Sequence, residues 1–225
     1  MARQDQDKVL VVCAHPDDET LGLGGTLKNH SRIGDEVNML CFADGQYGRD
    51  LSDNGIKKRQ NQAISACKVL GIKNIQFLNY RDQFLETIPL VELVGKIEMT
   101  IKKVKPTIIY THFWGDINQD HKRVFEATSI ATRPKPGSKI KRVIVFETPS
   151  STEWANKPEI FQPNLFVNIR ESLSFKINAF KKYSNEIENF PHPRSIDAII
   201  NRSKYWGARI GLKNAEAFII IRQIC

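Results

Sequence analysis

The amino-acid sequence predicts an α/β fold of three layers, with a mainly parallel central sheet and helices on both faces. Short apolar runs rich in β-forming residues alternate with segments of helical length, which is typical of a parallel sheet. These runs show little alternation between apolar and polar residues, as expected for strands buried on both faces. The predicted architecture is Rossmann-like, and 225 residues suit one such domain.

The elements follow one another along the chain in a regular order. The first five apolar runs are predicted strands, over 8–15, 36–43, 74–79, 107–113 and 142–148. Between them, apolar residues recur at three- and four-residue spacing, as at Ile64, Cys67 and Leu70, which predicts helices. A strand-like run at 165–169, two helical stretches from about Glu171 and Ser195, and a strand at 217–224 are predicted to complete the chain.

The chain is expected to form a single domain over residues 1–225. Residues 1–150 are predicted to form the Rossmann-like core with a metal site, and residues 151–225 a C-terminal extension that covers the substrate cleft. Prolines and polar residues over 149–164 predict a long loop between these parts. We expect this loop to shape the choice of substrate.

The amino-acid composition restricts the class of protein and predicts its location. Hydrophobic residues make up 41% and charged residues 26%, as in an ordinary globular protein. The apolar run from Val9 to Ala14 is too short to span a bilayer, and the polar residues before it do not resemble a secretory leader. Four scattered cysteines without CxxC spacing suit a reducing compartment, so a cytoplasmic location is predicted.

The net charge of +8 is unevenly distributed along the chain. Residues 1–112 carry 15 basic against 14 acidic side chains, and residues 113–225 carry 18 against 11. An anionic substrate such as a nucleotide sugar would explain the basic half, and a solvated lysine-rich surface would explain it equally. No basic helix interleaved with aromatic residues is present, so no nucleic-acid partner is expected, and a homo-oligomer is left open.

Two clusters of ligand-type side chains follow two of the predicted strands. The first strand leads into His15, Asp17, Asp18 and Glu19, and the fourth into Asp116, Asp120 and His121. The carboxyl ends of neighbouring central strands meet at one edge of a doubly wound sheet, so the two loops are expected to face each other. Two facing acidic loops would repel each other without a cation between them.

Two imidazoles and one carboxylate, with a fourth position for water, are the ligands of a catalytic zinc site. Such an ion lowers the pKa of its bound water and polarises the carbonyl of a scissile amide, and a neighbouring carboxylate can take the proton of the water. Each residue also has a structural interpretation. Pro16 restricts His15 to extended backbone, and Asp17 could cap the following helix.

The string Ala-His-Pro-Asp-Asp-Glu at 14–19, with Asp120-His121 about 100 residues later, resembles the PIG-L/LmbE family of zinc-dependent N-deacetylases. The resemblance extends through Arg59 and the Tyr-Arg-Asp turn at 80–82, over roughly residues 8–150. It implies that His15, Asp18 and His121 bind one zinc ion per chain, with another divalent metal possible, and that Asp17 is the general base.

The second motif departs from the family pattern. Members often carry His-Pro-Asp-His there, whereas this chain carries Asn-Gln-Asp-His at 118–121. Asn118 is expected to donate a hydrogen bond to the oxyanion, although it cannot protonate the leaving amine. His192, held between two prolines, and protonated Asp17 are the two candidate acids. Asp120 is expected to contact a metal ligand rather than the metal.

Three further residues are candidates for binding substrate. Arg59 and Arg194 could grip a phosphate or carboxylate, and Asp82 could meet a sugar hydroxyl, although each could equally be a solvated or paired surface residue. The glycine-rich stretch 21–25 lacks the GxGxxG spacing of a dinucleotide loop. Close packing of a helix against the sheet is its predicted use.

The predicted function is hydrolysis of an N-acetyl group on an amino sugar or sugar conjugate, either free or nucleotide-linked. An amidase acting on a larger thiol or antibiotic conjugate would keep the same metal site. A different class is a non-catalytic Rossmann-like binding module, in which the acidic loops cap helices or hold a structural cation. The metal content of the purified protein, together with reversible loss of hydrolysis on chelation, separates the last alternative from the other two.

Overall fold

A computed structural model describes residues 6–46, 53–155 and 159–225. In chain order the seven strands are β1 (Lys8–Cys13), β2 (Glu36–Ala43), β3 (Asn74–Tyr80), β4 (Ile108–His112), β5 (Arg142–Phe146), β6 (Leu165–Asn168) and β7 (Ala215–Gln223). They form one sheet in the order β3-β2-β1-β4-β5-β7-β6. Strands β1 to β5 are parallel, and β7 runs antiparallel to both β5 and β6. The predicted mainly parallel sheet is confirmed.

The described residues form six helices, α1 (Asp18–Arg32), α2 (Asp53–Leu70), α3 (Leu90–Val104), α4 (Gln119–Ala131), α5 (Leu173–Phe180) and α6 (Ile196–Ala208). They cover both faces of the sheet. Alternate residues of each central strand point to opposite sides, and because both sets are apolar, both faces are packed against helices. Val9 and Val11 pack in the core formed with α1, α2 and α5. Leu10 and Val12 pack in the core formed with α3 and α4. This arrangement confirms the predicted three-layer fold.

Strands β1 and β4 lie side by side near the centre of the sheet, as predicted. The first predicted strand was too long at its carboxyl end, since β1 ends at Cys13 and Ala14 begins the connection to α1. The last strand begins at Ala215, two residues before its predicted start. Part of the loop predicted at 149–164 forms a short 3-10 turn over Thr152–Trp154.

Helix α1 is broken at Leu23, whose backbone (φ −145°) is not helical. The break creates an internal helix end, where the backbone N–H groups of Gly25 and Thr26 donate to the carboxylate of Glu216 on β7. Lys176 of α5 lies between the two halves: its Nζ donates to the carbonyl of Leu21 (2.8 Å) and pairs with Glu216 (2.6 Å). This buried ion pair satisfies the backbone groups that the break leaves unpaired.

The glycines of the 21–25 stretch allow close approach of α1 to the sheet, as predicted. A Cβ at Gly22 would lie 2.4 Å from the Phe146 ring of β5, and a Cβ at Gly25 would lie 2.7 Å from Ile169. Neither position therefore accepts a side chain without movement of its neighbours. Within the three described ranges, no helix combines the length and apolar character needed to cross a bilayer.

Replacing Glu216 by Gln should destabilise the fold by about 3 kcal/mol, because it leaves the Lys176 ammonium buried without its counter-charge. Urea denaturation followed by circular dichroism measures the loss. The exposed Glu171→Gln is the matched control, and its free energy of unfolding should change by less than about 0.5 kcal/mol. An equal effect of both variants would contradict the role given to the buried pair.

Candidate metal centre and active site

The loops that follow β1 and β4 converge at the carboxyl edge of the sheet and bring the three predicted metal ligands together. His15 Nδ1 lies 3.2 Å from His121 Nε2. The Asp18 carboxylate lies 3.5 Å from each of these nitrogens, through Oδ2 and Oδ1 respectively. All three side chains are buried, and their ligand atoms lie close enough together to share one ion.

The backbone between His15 and Asp18 is sharply turned. Asp17 has φ 115°, a left-handed conformation that is unfavourable for a residue with a side chain. The turn lets the backbone N–H of His15 donate to Asp18 Oδ2 (2.7 Å), and the carbonyl of Asp17 accepts the amides of Thr20 and Leu21. The strained residue thus directs two adjacent carboxylates, Asp17 and Asp18, to different places.

The orientation of His15 is set by carboxylates on its far side. Its Nε2 lies 3.1 Å from Asp120 Oδ2 and 3.0 Å from Asp82 Oδ1. Asp120 is held in turn by the backbone N–H groups of Gln83 (2.8 Å) and Leu85 (3.0 Å). Donation of the Nε2 proton to a carboxylate leaves Nδ1 as a lone-pair donor facing Asp18. The contact predicted for Asp120 with a ligand is therefore present.

His121 is oriented in the same way by Asp116. Its Nδ1 lies 3.2 Å from Asp116 Oδ2, so Nε2 faces Asp18 and His15. Asp116 also accepts hydrogen bonds from the hydroxyls of Ser151 (2.9 Å) and Thr152 (2.6 Å). The sequence placed Asp116 in the second cluster but assigned it no role. The contacts from the 149–164 loop could not be read from spacing along the chain.

His112 packs against His121 as a neutral imidazole. The backbone N–H of Ala14 donates to its Nε2 (2.9 Å), and its ring stacks on His121 at 4.0 Å between centroids. Burial, together with the charge of the neighbouring His121, lowers the pKa of His112 to about 4. With its Nε2 lone pair used by Ala14, His112 is a packing partner of the cluster.

The three predicted metal ligands, His15, Asp18 and His121, are called here the ligand trio, and each has a shifted pKa. Burial disfavours charge on His121, but the carboxylates of Asp18 and Asp116 raise its pKa to about 9. Burial would raise the pKa of Asp18, yet the charge of His121 holds it well below its usual range. Burial is likewise outweighed at His15, where Asp120, Asp18 and Asp82 raise the pKa well above its ordinary value. A metal ion bound by these three residues would displace protons from the two imidazoles, because metal ligands bind in their deprotonated form.

The donor set fits a divalent cation. Asp18 Oδ1 is buried and has no hydrogen-bond partner among the described residues, although a buried carboxylate oxygen ordinarily requires one. It lies 3.5 Å from His121 Nε2, so an ion shared with the two imidazoles would satisfy it. Two nitrogens and one carboxylate oxygen are ligands that zinc accepts, and each histidine already has its supporting carboxylate. A second group that could hold an ion, His15 with Asp82 and Asp120, uses the far side of the His15 ring.

A cavity of about 270 Å³ opens beside the ligand trio. Its described lining comprises His15, Asp17, Gly45, Arg59, Asp82, Gln83, Asn118, Glu186 and Arg194. The predicted base, the predicted oxyanion donor and the three predicted substrate-binding residues therefore all line one cavity. Glu186, from the short 3-10 turn Ser184–Glu186, was not singled out from the sequence.

Asp17 is buried at the edge of this cavity and paired with both arginines. Its Oδ2 lies 3.0 Å from the Arg59 guanidinium and 3.4 Å from that of Arg194. Burial raises the pKa of Asp17, and the charges of Arg194 and Arg59 oppose that rise. An ionised carboxylate facing a cavity beside a metal site can accept a proton from bound water.

Asn118 and His192 have local roles that the sequence did not reveal. Asn118 caps α4, since its Oδ1 accepts the backbone N–H of Asp120 (2.9 Å), which leaves its amide NH₂ as a donor at the cavity wall. His192 lies in a turn, where its Nδ1 accepts the backbone N–H of Arg194 (3.1 Å). It is not among the described lining residues of the cavity, whereas its neighbour Arg194 is.

A family model described as PIG-L, GlcNAc-PI de-N-acetylase, matches residues 10–132. This match spans more than half of the chain and both metal-ligand motifs, and the chain belongs to the PIG-L family of deacetylases.

Relatives agree with this assignment, and a solved structure shares the fold. An uncharacterized deacetylase, YaiS, of Escherichia coli (strain K12) is 29% identical over 183 residues, which cover 79% of this chain and 90% of the relative. A probable N-acetyl-alpha-D-glucosaminyl L-malate deacetylase 2 of Bacillus subtilis (strain 168) is 27% identical, over 81% of this chain and 85% of the relative. The N,N'-diacetylchitobiose deacetylase structure from Pyrococcus horikoshii shares the fold, with a TM-score of 0.78 at 23% identity over 97% of this chain and 85% of that one.

Asp116→Asn should weaken zinc binding by about 10- to 100-fold, because His121 would lose the carboxylate that orients its ring. Competition with a chromogenic chelator measures the dissociation constant. Asp197→Asn, an exposed change in α6, is the matched control and should leave the constant unchanged. Wild-type affinity in Asp116→Asn would show that the contact has no bearing on the metal.

Proposed function

We propose that this protein is a zinc-dependent N-deacetylase that hydrolyses the N-acetyl group of an N-acetylated amino sugar or sugar conjugate. The observation that carries the proposal is the convergence of His15, Asp18 and His121 beside a cavity that Asp17 also lines. Membership of the family supports the reaction. Relatives named as deacetylases of N-acetyl-alpha-D-glucosaminyl L-malate and of diacetylchitobiose support a sugar-linked acetamide as the substrate.

The chemistry divides between the ion and the chain. When bound, zinc supplies Lewis-acid polarisation of an amide carbonyl and of a water molecule. Asp17 accepts the proton of the attacking water at its carboxylate, and the guanidinium of Arg59, 3.0 Å away, keeps that carboxylate oriented. The products are acetate and a free amine.

We propose that Asp17 also returns the proton to the leaving amine. Having taken one proton from water, its carboxyl group is an acid at the edge of the cavity, and its pKa, raised by burial, suits a group that both accepts and donates. The alternative acid, His192, has its Nδ1 directed to the backbone of its own turn. Arg194 is the residue of this turn that approaches Asp17, with its guanidinium 3.4 Å from Oδ2.

Asn118 is proposed to stabilise the oxyanion through its side-chain amide. Its Oδ1 is fixed by the Asp120 N–H, so the NH₂ group is the end of the side chain available at the cavity. A donor held in place by a helix cap is preorganised, which is what makes such a group effective as charge develops. Asn118 thus caps the helix through its carbonyl oxygen and stabilises the oxyanion through its NH₂ group.

A cytoplasmic location is proposed with the activity. Cys13, Cys41 and Cys67 are free thiols buried in the core, and Cys225 is a free thiol on the surface. Because free thiols persist in reducing compartments, these four residues support the cytoplasm.

Asp17→Asn should retain about one zinc per chain and lose kcat by about 10²- to 10⁴-fold, because the ligands stay intact while the base is removed. His121→Ala should lose both the metal and the activity. Elemental analysis gives the zinc content, and fluorescamine detection of the amine released from N-acetylglucosamine and N,N'-diacetylchitobiose gives the rate. Full turnover by Asp17→Asn would refute its assignment as the base.

Asn118→Ser separates the two roles of Asn118, because serine keeps the helix cap and lacks the amide donor. The stability of this variant should stay within about 0.5 kcal/mol of wild type, while its kcat falls by about 10²-fold. Thermal unfolding and initial rates provide the two measurements. Unchanged kcat in a stable Asn118→Ser protein would leave Asn118 with the capping role alone.

The two alternative functions, an amidase and a non-catalytic binding module, are tested with the same purified protein. An amidase of larger conjugates would contain zinc, leave both sugars intact and release amine from thiol or antibiotic conjugates. A non-catalytic binding module would release amine from none of these, with or without zinc. Reversible loss of amine release on chelation would identify the metal-dependent hydrolase.

A further inference from the structure

We propose that Glu19 and Tyr183 are positioning residues, which hold the backbone of Asp17 so that its carboxylate faces the cavity. The inference rests on the proposed function and deepens it, since it explains how the proposed base is directed away from the adjacent metal ligand Asp18. Glu19 belongs to the first motif, at 14–19, and Tyr183 lies shortly after the end of α5. The two residues are called here the Glu19–Tyr183 pair.

Asp17 adopts a backbone conformation that needs support from its surroundings. Its φ of 115° lies in the left-handed region, where the Cβ of a residue with a side chain is crowded. Relaxation to an ordinary helical or extended conformation would turn the Asp17 side chain away from its present direction. A strained residue keeps its conformation when neighbouring groups fix it. The contacts of Asp17 with the rest of the protein therefore decide where the proposed base points.

Glu19 supplies an acceptor for the backbone N–H of Asp17. Its Oε2 accepts that N–H at 3.0 Å, and its Oε1 accepts the hydroxyls of Tyr183 (2.7 Å) and Thr20 (2.6 Å). Asp17 and Glu19 are both buried, so an Asp17 N–H that lost this acceptor would pay the full cost of desolvation. Glu19 therefore fixes the orientation of the peptide that joins Pro16 to Asp17.

Tyr183 supports Asp17 through two different neighbours. Burial, together with the charge of Glu19, raises the pKa of Tyr183 well above its usual range, so its hydroxyl remains a donor to Glu19. The Arg59 guanidinium lies over the Tyr183 ring, 5.0 Å from its centroid, and lies 3.0 Å from Asp17 Oδ2. One fully buried side chain thus contacts both the residue that binds the Asp17 amide and a residue that binds the Asp17 carboxylate.

The Glu19–Tyr183 pair lies behind Asp17 rather than in the cavity. Neither member is among the described lining residues, whereas Asp17 is, and neither belongs to the ligand trio. Loss of the pair should therefore displace the base without removing a substrate contact or a metal ligand. Because a displacement of about 1 Å can cost about 10²-fold in rate, we expect the effect in kcat rather than in KM.

Tyr183→Phe tests the pair with the smallest change, since it removes the hydroxyl and keeps the ring beside Arg59. Its kcat should fall about tenfold, with KM and zinc content within about twofold of wild type. Tyr110→Phe is the matched control, because Tyr110 is also buried and its hydroxyl contacts His30 (3.0 Å), outside the described cavity lining. Both variants should lower Tm by about 2–4 °C, but Tyr110→Phe should keep the kcat of wild type.

Two variants of Glu19 separate positioning from a merely structural role. Glu19→Leu removes both acceptor oxygens and should lose kcat about 10²-fold while it retains its zinc. Glu19→Gln should recover at least about tenfold of that loss, because its amide oxygen can accept the Asp17 N–H while its NH₂ group donates to the Tyr183 oxygen. An acidic residue that acted only through its charge in the first turn of α1 would not be replaced by Gln.

Hydrogen exchange of the Asp17 amide, followed by NMR on the zinc-free proteins, gives a readout independent of turnover. Exchange should be about tenfold faster in Tyr183→Phe than in wild type, and faster than in Tyr110→Phe. A folded Tyr183→Phe protein whose kcat or Asp17 exchange matches that of Tyr110→Phe would overturn the proposal, as would loss of its zinc. If Glu19→Leu fails to fold, the two tyrosine variants decide. Absence of deacetylation by wild type would defeat the proposed function, while the exchange comparison would still decide whether the pair holds Asp17.

Discussion

The site depends on the pairing of each metal-facing imidazole with a carboxylate behind it. Asp120 holds the far nitrogen of His15, and Asp116 holds the far nitrogen of His121. These contacts turn two lone pairs toward the same point, where Asp18 presents an oxygen without a hydrogen-bond partner in the described structure. A cation at that point would be bound by both imidazole nitrogens and would satisfy the unpartnered oxygen of Asp18.

The fold supplies this geometry through the adjacency of two parallel strands. β1 and β4 are neighbours, so the loops after them are forced together although they are distant in the chain. The first turn of α1, which carries Asp18, is anchored by the Lys176–Glu216 pair across the break at Leu23. A C-terminal element thus stabilises the N-terminal ligand loop, and the two parts expected from the sequence share one sheet.

The sequence was sufficient for the features that depend on local pattern. Strand periodicity predicted the sheet, and the strand-end motifs predicted that His15, Asp18 and His121 would meet. Features made by contacts between distant segments were not predictable. Glu186 reaches Arg59 only through the tertiary fold, and nothing in its local sequence distinguishes it from the exposed Glu188. Asn118 was predicted as a donor, but its capping bond required the backbone geometry of α4.

The proposed chemistry requires that one cation is held by His15, Asp18 and His121. Anomalous diffraction at the zinc edge, from crystals of the zinc-loaded protein, locates that ion. We expect one strong peak per chain at about 2.0–2.1 Å from His15 Nδ1 and His121 Nε2, with an Asp18 oxygen in the same shell. A peak on the other side of the His15 ring, between Asp82 and Asp120, would contradict it, as would zinc-loaded crystals without an ordered peak.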